Sequence, residues 1–200
     1  MPSSLLIATS NPGKLREIQA VLSDLSLVLK GLKDYADLPD VVEDADTFIG
    51  NAEKKALHFA KLTGLPTLAD DSGLEVDCLG GRPGVYSARF AGKHGDDQAN
   101  NAKLIQLLET TPHNQRTARF RCAVAVADGQ EILARAEGRI EGLIIDPPRG
   151  RNGFGYDPHF LIPELGKTTA ELDADHKNRV SHRGQALRAI REALTTLFAG

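Results

Sequence analysis

Two adjacent carboxylates at the end of a short, mainly apolar run constrain this sequence more than any other feature. Asp70 and Asp71 follow residues 65–69, and Glu75 and Asp77 come soon after a Ser-Gly pair. In an extended segment successive side chains point to opposite faces, so Asp71, Glu75 and Asp77 are expected on one face. Clustered carboxylates repel one another unless a cation or a proton neutralises them. The pattern predicts a divalent cation site, usually Mg²⁺ with a phosphate substrate, or else a solvated turn.

Composition limits the classes of protein that this sequence can encode. With 200 residues, 41% of them hydrophobic and 26% charged, the chain is long enough for one globular domain or two small lobes around a cleft. A net charge of −3 gives no overall basic field, so binding to nucleic acid or to an anionic membrane is not expected. The only cysteines, Cys78 and Cys122, form no CxxC motif, which argues against a disulfide framework or a cysteine zinc site. No signal peptide or membrane-length apolar run is found, and we expect a cytoplasmic protein.

The pattern of apolar residues predicts strands and helices in a mixed order. Strands are predicted over residues 3–9, 25–32, 118–127, 131–137 and 140–145. Helices are predicted over residues 15–22, from residue 46 or 47 to 64, over 96–108, and from 177 onward. The Asp128-Gly129 pair predicts a hairpin between two of the strands.

Residues 3–22 read as a strand, a polar glycine turn and a helix, with Lys14 in the first helical turn. Backbone N–H groups and the positive end of the helix dipole favour phosphate at such a place. The turn is not a Walker A loop, because Ala8 replaces its first glycine and Leu15 follows the lysine. An ordinary loop with a solvated lysine is an equally good interpretation of this local pattern. In the next helix Asn51 and Lys55 are four residues apart, so both can face one ligand, although a lysine run is usually a solvated face.

A second glycine-rich loop spans residues 149–158, and its glycine spacing differs from the dinucleotide fingerprint. Two aromatic residues and Asp157 on such a loop can stack on a base and bind it through hydrogen bonds. Residues 177–183 then bring basic side chains to the predicted start of the last helix. The helix dipole disfavours cations there, which favours an anionic or carbonyl-bearing ligand.

Taken together, these segments resemble the inosine triphosphate pyrophosphatases, a family that removes non-standard purine nucleoside triphosphates. The matching segments are residues 9–14, 47–49, 51–52, 69–74, 80–81, 83–84, 86–89, 153–158, 177–178 and 181–187. They occur in the family's order and span nearly the whole chain. The resemblance implies an α/β fold in which an elongated mixed β-sheet is flanked by helices. It also implies a single domain over residues 1–200, with two lobes around a central nucleotide cleft.

The resemblance further implies a homodimer and a Mg²⁺-dependent reaction in which a nucleoside triphosphate and water give the monophosphate and pyrophosphate. Asp71 is then the expected metal ligand and general base, with Asp70 beside it and Glu43 as a second metal ligand. Lys14 and Lys55 are expected to hold the phosphates. The expected substrate-binding residues are Thr9, Ser10, Asn11, Pro12, Gly13, Lys14, Lys55, Ser72, Phe154, Gly155, Tyr156, Asp157, Lys177, His182 and Arg183. Phe154 would stack on the purine, and the expected readers of the purine edge are Asp157, Lys177, His182 and Arg183.

One residue departs from the family pattern: Gly50 stands where a glutamate is usual. Because glycine within a helix costs about 1 kcal/mol relative to alanine, Gly50→Glu is expected to raise the melting temperature or to lower the Mg²⁺ requirement. Three alternatives stay open. They are the septum-associated pyrophosphatases that act on pyrimidine triphosphates, a catalytically idle nucleotide-binding protein, and a nucleic-acid-binding or structural module. The loop around Phe154 and the helix with His182 and Arg183 argue against the first, and the net charge argues against the last.

Overall fold

The computed structural model describes residues 3–199. Within them, seven strands form one sheet in the order β2-β1-β3-β4-β5-β6-β7. The strands are β1 (Ser3–Ile7), β2 (Leu27–Gly31), β3 (Thr67–Val76), β4 (Thr117–Ala127), β5 (Ile132–Ile144), β6 (Phe160–Ile162) and β7 (Lys167–Thr168). The α-helices of the same residues are α1 (Pro12–Leu22), α2 (Phe48–Thr63), α3 (Asp97–Leu108), α4 (Ala174–Val180) and α5 (His182–Phe198).

The sheet is mixed. β1 pairs in parallel with β2 and with β3, whereas β6 pairs antiparallel with both β5 and β7. Parallel strands are usually covered on both faces, and Leu5, Leu6 and Ile7 of β1 are accordingly fully buried. The predicted mixed α/β sheet flanked by helices is therefore confirmed. No helix of the described residues is long and apolar enough to cross a membrane.

The chain divides into two compact units. The first comprises Met1–Asp71, Cys122–Gly138 and His182–Gly200, and the second comprises Ser72–Arg121 and Arg139–Ser181. Each has its own core. One core cluster of the first unit consists of Leu5, Ile7, Ile18, Leu22, Leu68, Cys122, Val124, Val126, Ala186, Leu187, Ile190 and Leu194. The core of the second unit includes Leu74, Val76, Leu104, Leu108, Phe120, Ile144, Tyr156 and Phe160. The single domain over residues 1–200 stays a prediction.

Local sequence signals account for the helix starts. The side chains of Asn11, Thr47 and Asp96 accept hydrogen bonds from backbone N–H groups of the first turns of α1, α2 and α3. Gly64 ends α2 in the left-handed conformation, with φ of 68°. The start and end of α2 are therefore those predicted from the sequence.

The prediction of two strands over residues 131–137 and 140–145 is wrong, because β5 runs without a break through Gly138. A Cβ atom added at Gly138 would lie 2.1 Å from the backbone oxygen of His182 and 2.7 Å from the backbone nitrogen of Ala186. Gly138 therefore permits close contact between the backbones of β5 and α5. A glycine in a strand marks such an approach as readily as it marks a strand end.

The prediction of one last helix from residue 177 onward is also wrong, because two helices occupy this region. α4 ends at Val180, Ser181 adopts an extended conformation, and α5 begins at His182. Lys177 lies in the last turn of α4, where the helix dipole favours a cation. The argument from an unfavourable dipole therefore applies only to His182 and Arg183.

Gly138→Ala is expected to lower the free energy of unfolding by at least about 1 kcal/mol, because the new methyl group has no room beside the α5 backbone. Urea unfolding monitored by circular dichroism measures the change. Gly31→Ala is the matched control, since its added Cβ would have no described neighbour nearer than 3.7 Å. Equal effects of the two substitutions would contradict this account of Gly138.

Candidate active site

The loop after β1 brings Lys14 to the first turn of α1. The Asn11 side chain accepts hydrogen bonds from the backbone N–H groups of Gly13 at 2.8 Å and of Lys14 at 3.1 Å. Thr9 Oγ1 in turn accepts from the N–H group of Asn11 at 3.2 Å. The N–H groups that were expected to hold phosphate therefore already bind the capping side chain. The charge that this loop contributes is that of the Lys14 side chain. Ser10 and Pro12, the remaining predicted residues of the loop, lie just before and at the start of α1.

Asp70, in β3, is a buried carboxylate between two cations. Its Oδ2 atom lies 3.1 Å from Lys14 Nζ and 3.2 Å from Arg183 Nε, and the side chain of Arg183 also pairs with Glu17 of α1. Asp70 and Arg183 are each only 1% exposed. Burial alone would raise the pKa of Asp70, but the charges of Lys14 and Arg183 outweigh it and hold that pKa well below its usual range. Asp70 is thus a fixed negative charge and a poor proton acceptor.

Asp71 has a different environment. Its Oδ2 atom accepts a hydrogen bond from Asn51 Nδ2 at 3.0 Å, and its Oδ1 atom lies 3.9 Å from Lys55 Nζ. The expectation that the four-residue spacing of Asn51 and Lys55 lets both face one group agrees with these contacts. Burial raises the pKa of Asp71, against the opposing charges of Lys55 and Lys14. A carboxylate with a raised pKa and a fixed orientation is suited to general base catalysis.

The loop between β2 and α2 brings Glu43 to the same lysine. Glu43 Oε2 lies 3.2 Å from Lys55 Nζ. Asn51 fixes this loop, because its Oδ1 atom accepts a hydrogen bond from the backbone N–H of Ala45 at 3.0 Å. Asn51, which is fully buried, therefore joins the loop of Glu43 to Asp71. We call Lys14, Glu43, Lys55, Asp70 and Asp71 the lysine–carboxylate cluster of the first unit.

The carboxylates of the acidic stretch have different partners in the structure. Glu75 lies 3.8 Å from Arg119 and 3.6 Å from Arg121, and Asp77 lies 2.9 Å from Arg119. These carboxylates belong to the second unit and are neutralised by arginines. Asp71 instead contacts Asn51 and Lys55 of α2. One shared acidic face for Asp71, Glu75 and Asp77 stays a prediction.

The second unit contains a buried polar group around Asp157. Its Oδ2 atom accepts a hydrogen bond from the Phe154 backbone N–H at 2.9 Å and lies 2.5 Å from Lys177 Nζ, and its Oδ1 atom accepts from Thr169 Oγ1 at 2.8 Å. Asp157 and Lys177 are 3% and 4% exposed. Lys177 Nζ also lies 4.8 Å from the centre of the Phe154 ring. A Cβ atom added at Gly153 would lie 2.0 Å from Asp157 Oδ2, which accounts for the glycine there.

The residues that were predicted to bind the purine base belong to two different units of the structure. Phe154, Asp157 and Lys177 belong to the second unit and lie together, whereas His182 and Arg183 belong to the first. The described contacts of Arg183 with Asp70 and Glu17 are contacts of a buried charge network. Its role in reading a base stays a prediction. Ser72, in β3, is partly exposed and belongs to the second unit.

Comparison with known proteins places these residues in a family. A sequence pattern described as the Ham1 family matches residues 5–193. The chain belongs to the Ham1 family. A dITP/XTP pyrophosphatase of Geobacter sulfurreducens is 52% identical over 190 residues, which cover 95% of this chain and 96% of the relative. One of Desulforamulus reducens is 50% identical over 194 residues, covering 97% of this chain and 96% of the relative.

Comparison with solved structures gives the same family. A HAM1 protein from Coxiella burnetii matches with a TM-score of 0.87 and 42% identity, covering 97% of this chain and 99% of the other. The family membership confirms the resemblance that the sequence motifs indicated.

Several residues of this Ham1 chain that hold the site in place were not found by sequence reasoning. Glu17 contacts Arg183, which is 166 positions away in sequence, and Thr169 contacts Asp157, which is 12 positions away. The Sγ atom of Cys122 lies 4.0 Å from Oδ2 of Asp70, 52 positions away. Burial raises the pKa of Cys122 to about 12, so this thiol stays protonated. Glu17 lies three residues after Lys14, on α1, and this helical spacing was the one available signal.

Gly50 also has a steric explanation in this Ham1 chain. A Cβ atom added there would lie 2.9 Å from the Cβ of Ala45 and 3.0 Å from Thr47 Oγ1. Any side chain at position 50 therefore pushes on the loop that carries Glu43. This contact argues against the expectation that Gly50→Glu raises the melting temperature, because displacement of Ala45 offsets the helix propensity that is gained. The expectation of a lower Mg²⁺ requirement stays a prediction.

A double-mutant cycle tests this explanation. In an Ala45→Gly background, Gly50→Ala is expected to stabilise the protein by about 1 kcal/mol through helix propensity. In the natural background the clash with Ala45 is expected to remove that gain, which gives a coupling energy of at least about 1 kcal/mol. Thermal unfolding of the four proteins measures it. Additive effects would show that the loop moves aside freely.

Proposed function

We propose that this protein hydrolyses non-standard purine nucleoside triphosphates such as ITP, dITP and XTP to the monophosphate and pyrophosphate. The names of its relatives support the substrate class and the reaction. The observation that carries the proposal is Asp71, a buried carboxylate that Asn51 orients beside Lys55.

The lysine–carboxylate cluster suits a triphosphate because it supplies fixed positive charge. A triphosphate carries about four negative charges and repels an anionic nucleophile until they are neutralised. Lys14 and Lys55 are available for this, since their side chains are only 15% and 10% exposed and lie next to carboxylates. For Lys14, burial alone would lower the pKa, but the charges of Asp70 and Asp71 raise it overall. Binding of the phosphates would then replace part of these ion pairs.

The carboxylates of Asp71 and Glu43 fit a Mg²⁺ ion, although the described residues contain no group of three or more His, Cys, Asp or Glu side chains placed to hold a metal. Both carboxylates point at one positive charge, Lys55 Nζ, at 3.9 Å and 3.2 Å. Magnesium is usually bound through one or two carboxylates, with waters and substrate phosphates as the remaining ligands. Asp71 and Glu43 would hold the ion, and its chemistry there is to neutralise charge on the phosphate oxygens.

In the reaction, Asp71 is the group that orients the attacking water and takes its proton. The water oxygen forms a bond to the α-phosphorus while the bond to the pyrophosphate oxygen breaks. The hydrogen bond from Asn51 fixes one carboxylate oxygen of Asp71 and leaves the other on the side of Lys55. Lys14 and Lys55 stabilise the charge that develops on pyrophosphate. Asp70 keeps Lys14 and Arg183 in place and accepts no proton.

The Asp157 group of the second unit is the proposed base site. Phe154 offers an aromatic face, and Lys177 next to it offers an N–H donor for the C6 carbonyl of hypoxanthine or xanthine. Adenine has an amino group at that position, which leaves a buried donor unpaired, and such a mismatch is strongly penalised.

We further propose that the protein acts in the cytoplasm as a homodimer. The support for both is the family to which the chain belongs. Incubation of the pure protein with ITP and Mg²⁺, with an assay for pyrophosphate, separates the proposed enzyme from an idle nucleotide-binding protein, and UTP in place of ITP tests the pyrimidine-specific alternative.

Asp71→Asn is expected to lower kcat for ITP by at least about 10²–10⁴-fold, because the amide keeps the shape but loses both the charge and the basic oxygen. Pyrophosphate release at saturating Mg²⁺ measures kcat. Glu75→Gln is the matched control, as it removes a carboxylate of the same strand that is paired with arginines. A near-natural rate in Asp71→Asn would transfer the role of the base to another carboxylate.

Lys177→Ala is expected to lower the ratio of kcat/KM for ITP over ATP by at least about tenfold, which equals roughly 1.4 kcal/mol of differential binding. Arg183→Ala, by contrast, leaves Asp70 without one of its cations and should reduce stability and the rate with both nucleotides. Kinetics with ITP and ATP, together with melting temperatures, measure these effects. An unchanged ITP/ATP ratio in Lys177→Ala would mean that the base is read by other residues.

A further inference from the structure

Both backbone polar groups of Gly155, its N–H and its carbonyl, bond to side chains of α3. Its N–H donates to Asp97 Oδ2 at 2.7 Å, and its carbonyl oxygen accepts from Asn101 Nδ2 at 2.9 Å. Asp97 and Asn101 are four residues apart and so lie on one face of the helix. Gly155 has a φ of 61°, which makes it a glycine position, and it directly follows Phe154. These two side chains therefore determine the orientation of the loop at the aromatic residue.

In the side-chain amide of Asn101, the nitrogen donates two hydrogen bonds and the oxygen accepts none within the described residues. Its Nδ2 atom donates to the carbonyl oxygens of Gly155 and Asp97, both at 2.9 Å. Its Oδ1 atom is buried and has no hydrogen-bond partner within the described residues. Reversing the amide would place its oxygen against two carbonyl oxygens, so the orientation is fixed. A buried polar atom without a partner is unfavourable for folding, which argues that the residue is retained for the contact with Gly155.

The other residues of the loop are anchored independently. Tyr156 is 5% exposed, and its hydroxyl donates to the backbone oxygen of Ser87 at 2.8 Å. Asp157 accepts from the Phe154 N–H and pairs with Lys177. The Phe154 ring is partly exposed above this anchored backbone. The contacts of α3 with Gly155 complete the support next to the ring, and they involve no residue of the proposed catalytic machinery.

We propose that Asp97 and Asn101 are positioning residues that fix the peptide of Gly155 and thereby present the Phe154 ring to the purine of the substrate. This inference rests on the proposed function, of which it describes the base site. A ring held in advance at the correct angle binds a base without the entropy loss of ordering a glycine-rich loop. Loss of either contact should weaken nucleotide binding and leave the chemical step largely unchanged.

The substitution Phe154→Trp makes nucleotide binding at the loop measurable by fluorescence. The chain contains no tryptophan, so Phe154→Trp provides a single fluorescent reporter at the site. In this background Asp97→Ala and Asn101→Ala are compared with Asp97→Asn, which keeps an acceptor for the Gly155 N–H. Gln98→Ala and Gln106→Ala are controls on the same helix, since neither residue takes part in the contacts with Gly155. Titration with ITP without Mg²⁺ gives Kd from fluorescence quenching, and the same substitutions with Phe154 retained give KM and kcat.

Asp97→Ala and Asn101→Ala are expected to raise Kd and KM at least about fivefold while kcat changes less than about twofold, and Asp97→Asn is expected to restore most of the loss. The glutamine controls should have no effect. Folded variants that bind ITP as the parent does would overturn the inference.

Quenching of the Phe154→Trp reporter by acrylamide, measured without nucleotide, tests the loop separately. Asp97→Ala and Asn101→Ala should increase the accessibility of the introduced indole, and unchanged accessibility would also overturn the inference. If the natural protein releases no pyrophosphate from ITP, the proposed function fails, and the acrylamide experiment still decides whether α3 holds the loop.

Discussion

The first unit depends on the pairing of the buried carboxylate of Asp70 with Lys14 and Arg183. An isolated ion in a protein interior costs several kcal/mol, and it is tolerated only with close partners of opposite charge. The partners here come from α1 and α5, while Asp70 itself lies in β3. Three elements distant in sequence are thereby held in one arrangement, and the loop before α1 is fixed with them.

The environments of the two adjacent aspartates shift their pKa values in opposite directions. Alternation along β3 gives Asp70 and Asp71 different neighbours. Asp70 is surrounded by cations and has a lowered pKa, whereas burial outweighs the nearby positive charges at Asp71 and gives that carboxyl a raised pKa. A fixed charge and a proton acceptor are thus available next to each other on one strand. Asn51 of α2 bonds both to the loop that carries Glu43 and to Asp71. α2 is therefore the second element that holds the site.

Local sequence signals predicted much of this structure. The cap of α2 at Thr47, the hairpin after β4 and the buried strand β1 are each specified within a few residues of sequence. The errors occurred where the deciding contact is distant. Gly138 reads locally as a strand break, but it makes room for α5, and residue 177 reads as the start of a helix because a single extended residue, Ser181, separates two helices. The pairing of Arg183 with Glu17 was not predicted either, since charge alone does not reveal which side chain will be buried.

The environment of Cys122 has a practical consequence for spectroscopy. Only the thiolate reacts with maleimides and iodoacetamides, and a buried thiol with a pKa of about 12 provides almost none at neutral pH. The other cysteine, Cys78, is exposed. The natural chain can therefore accept one dye or spin label at a defined position in the second unit without any cysteine being removed. Experiments that follow the surroundings or the mobility of Cys78 through one label can begin from the unmodified sequence.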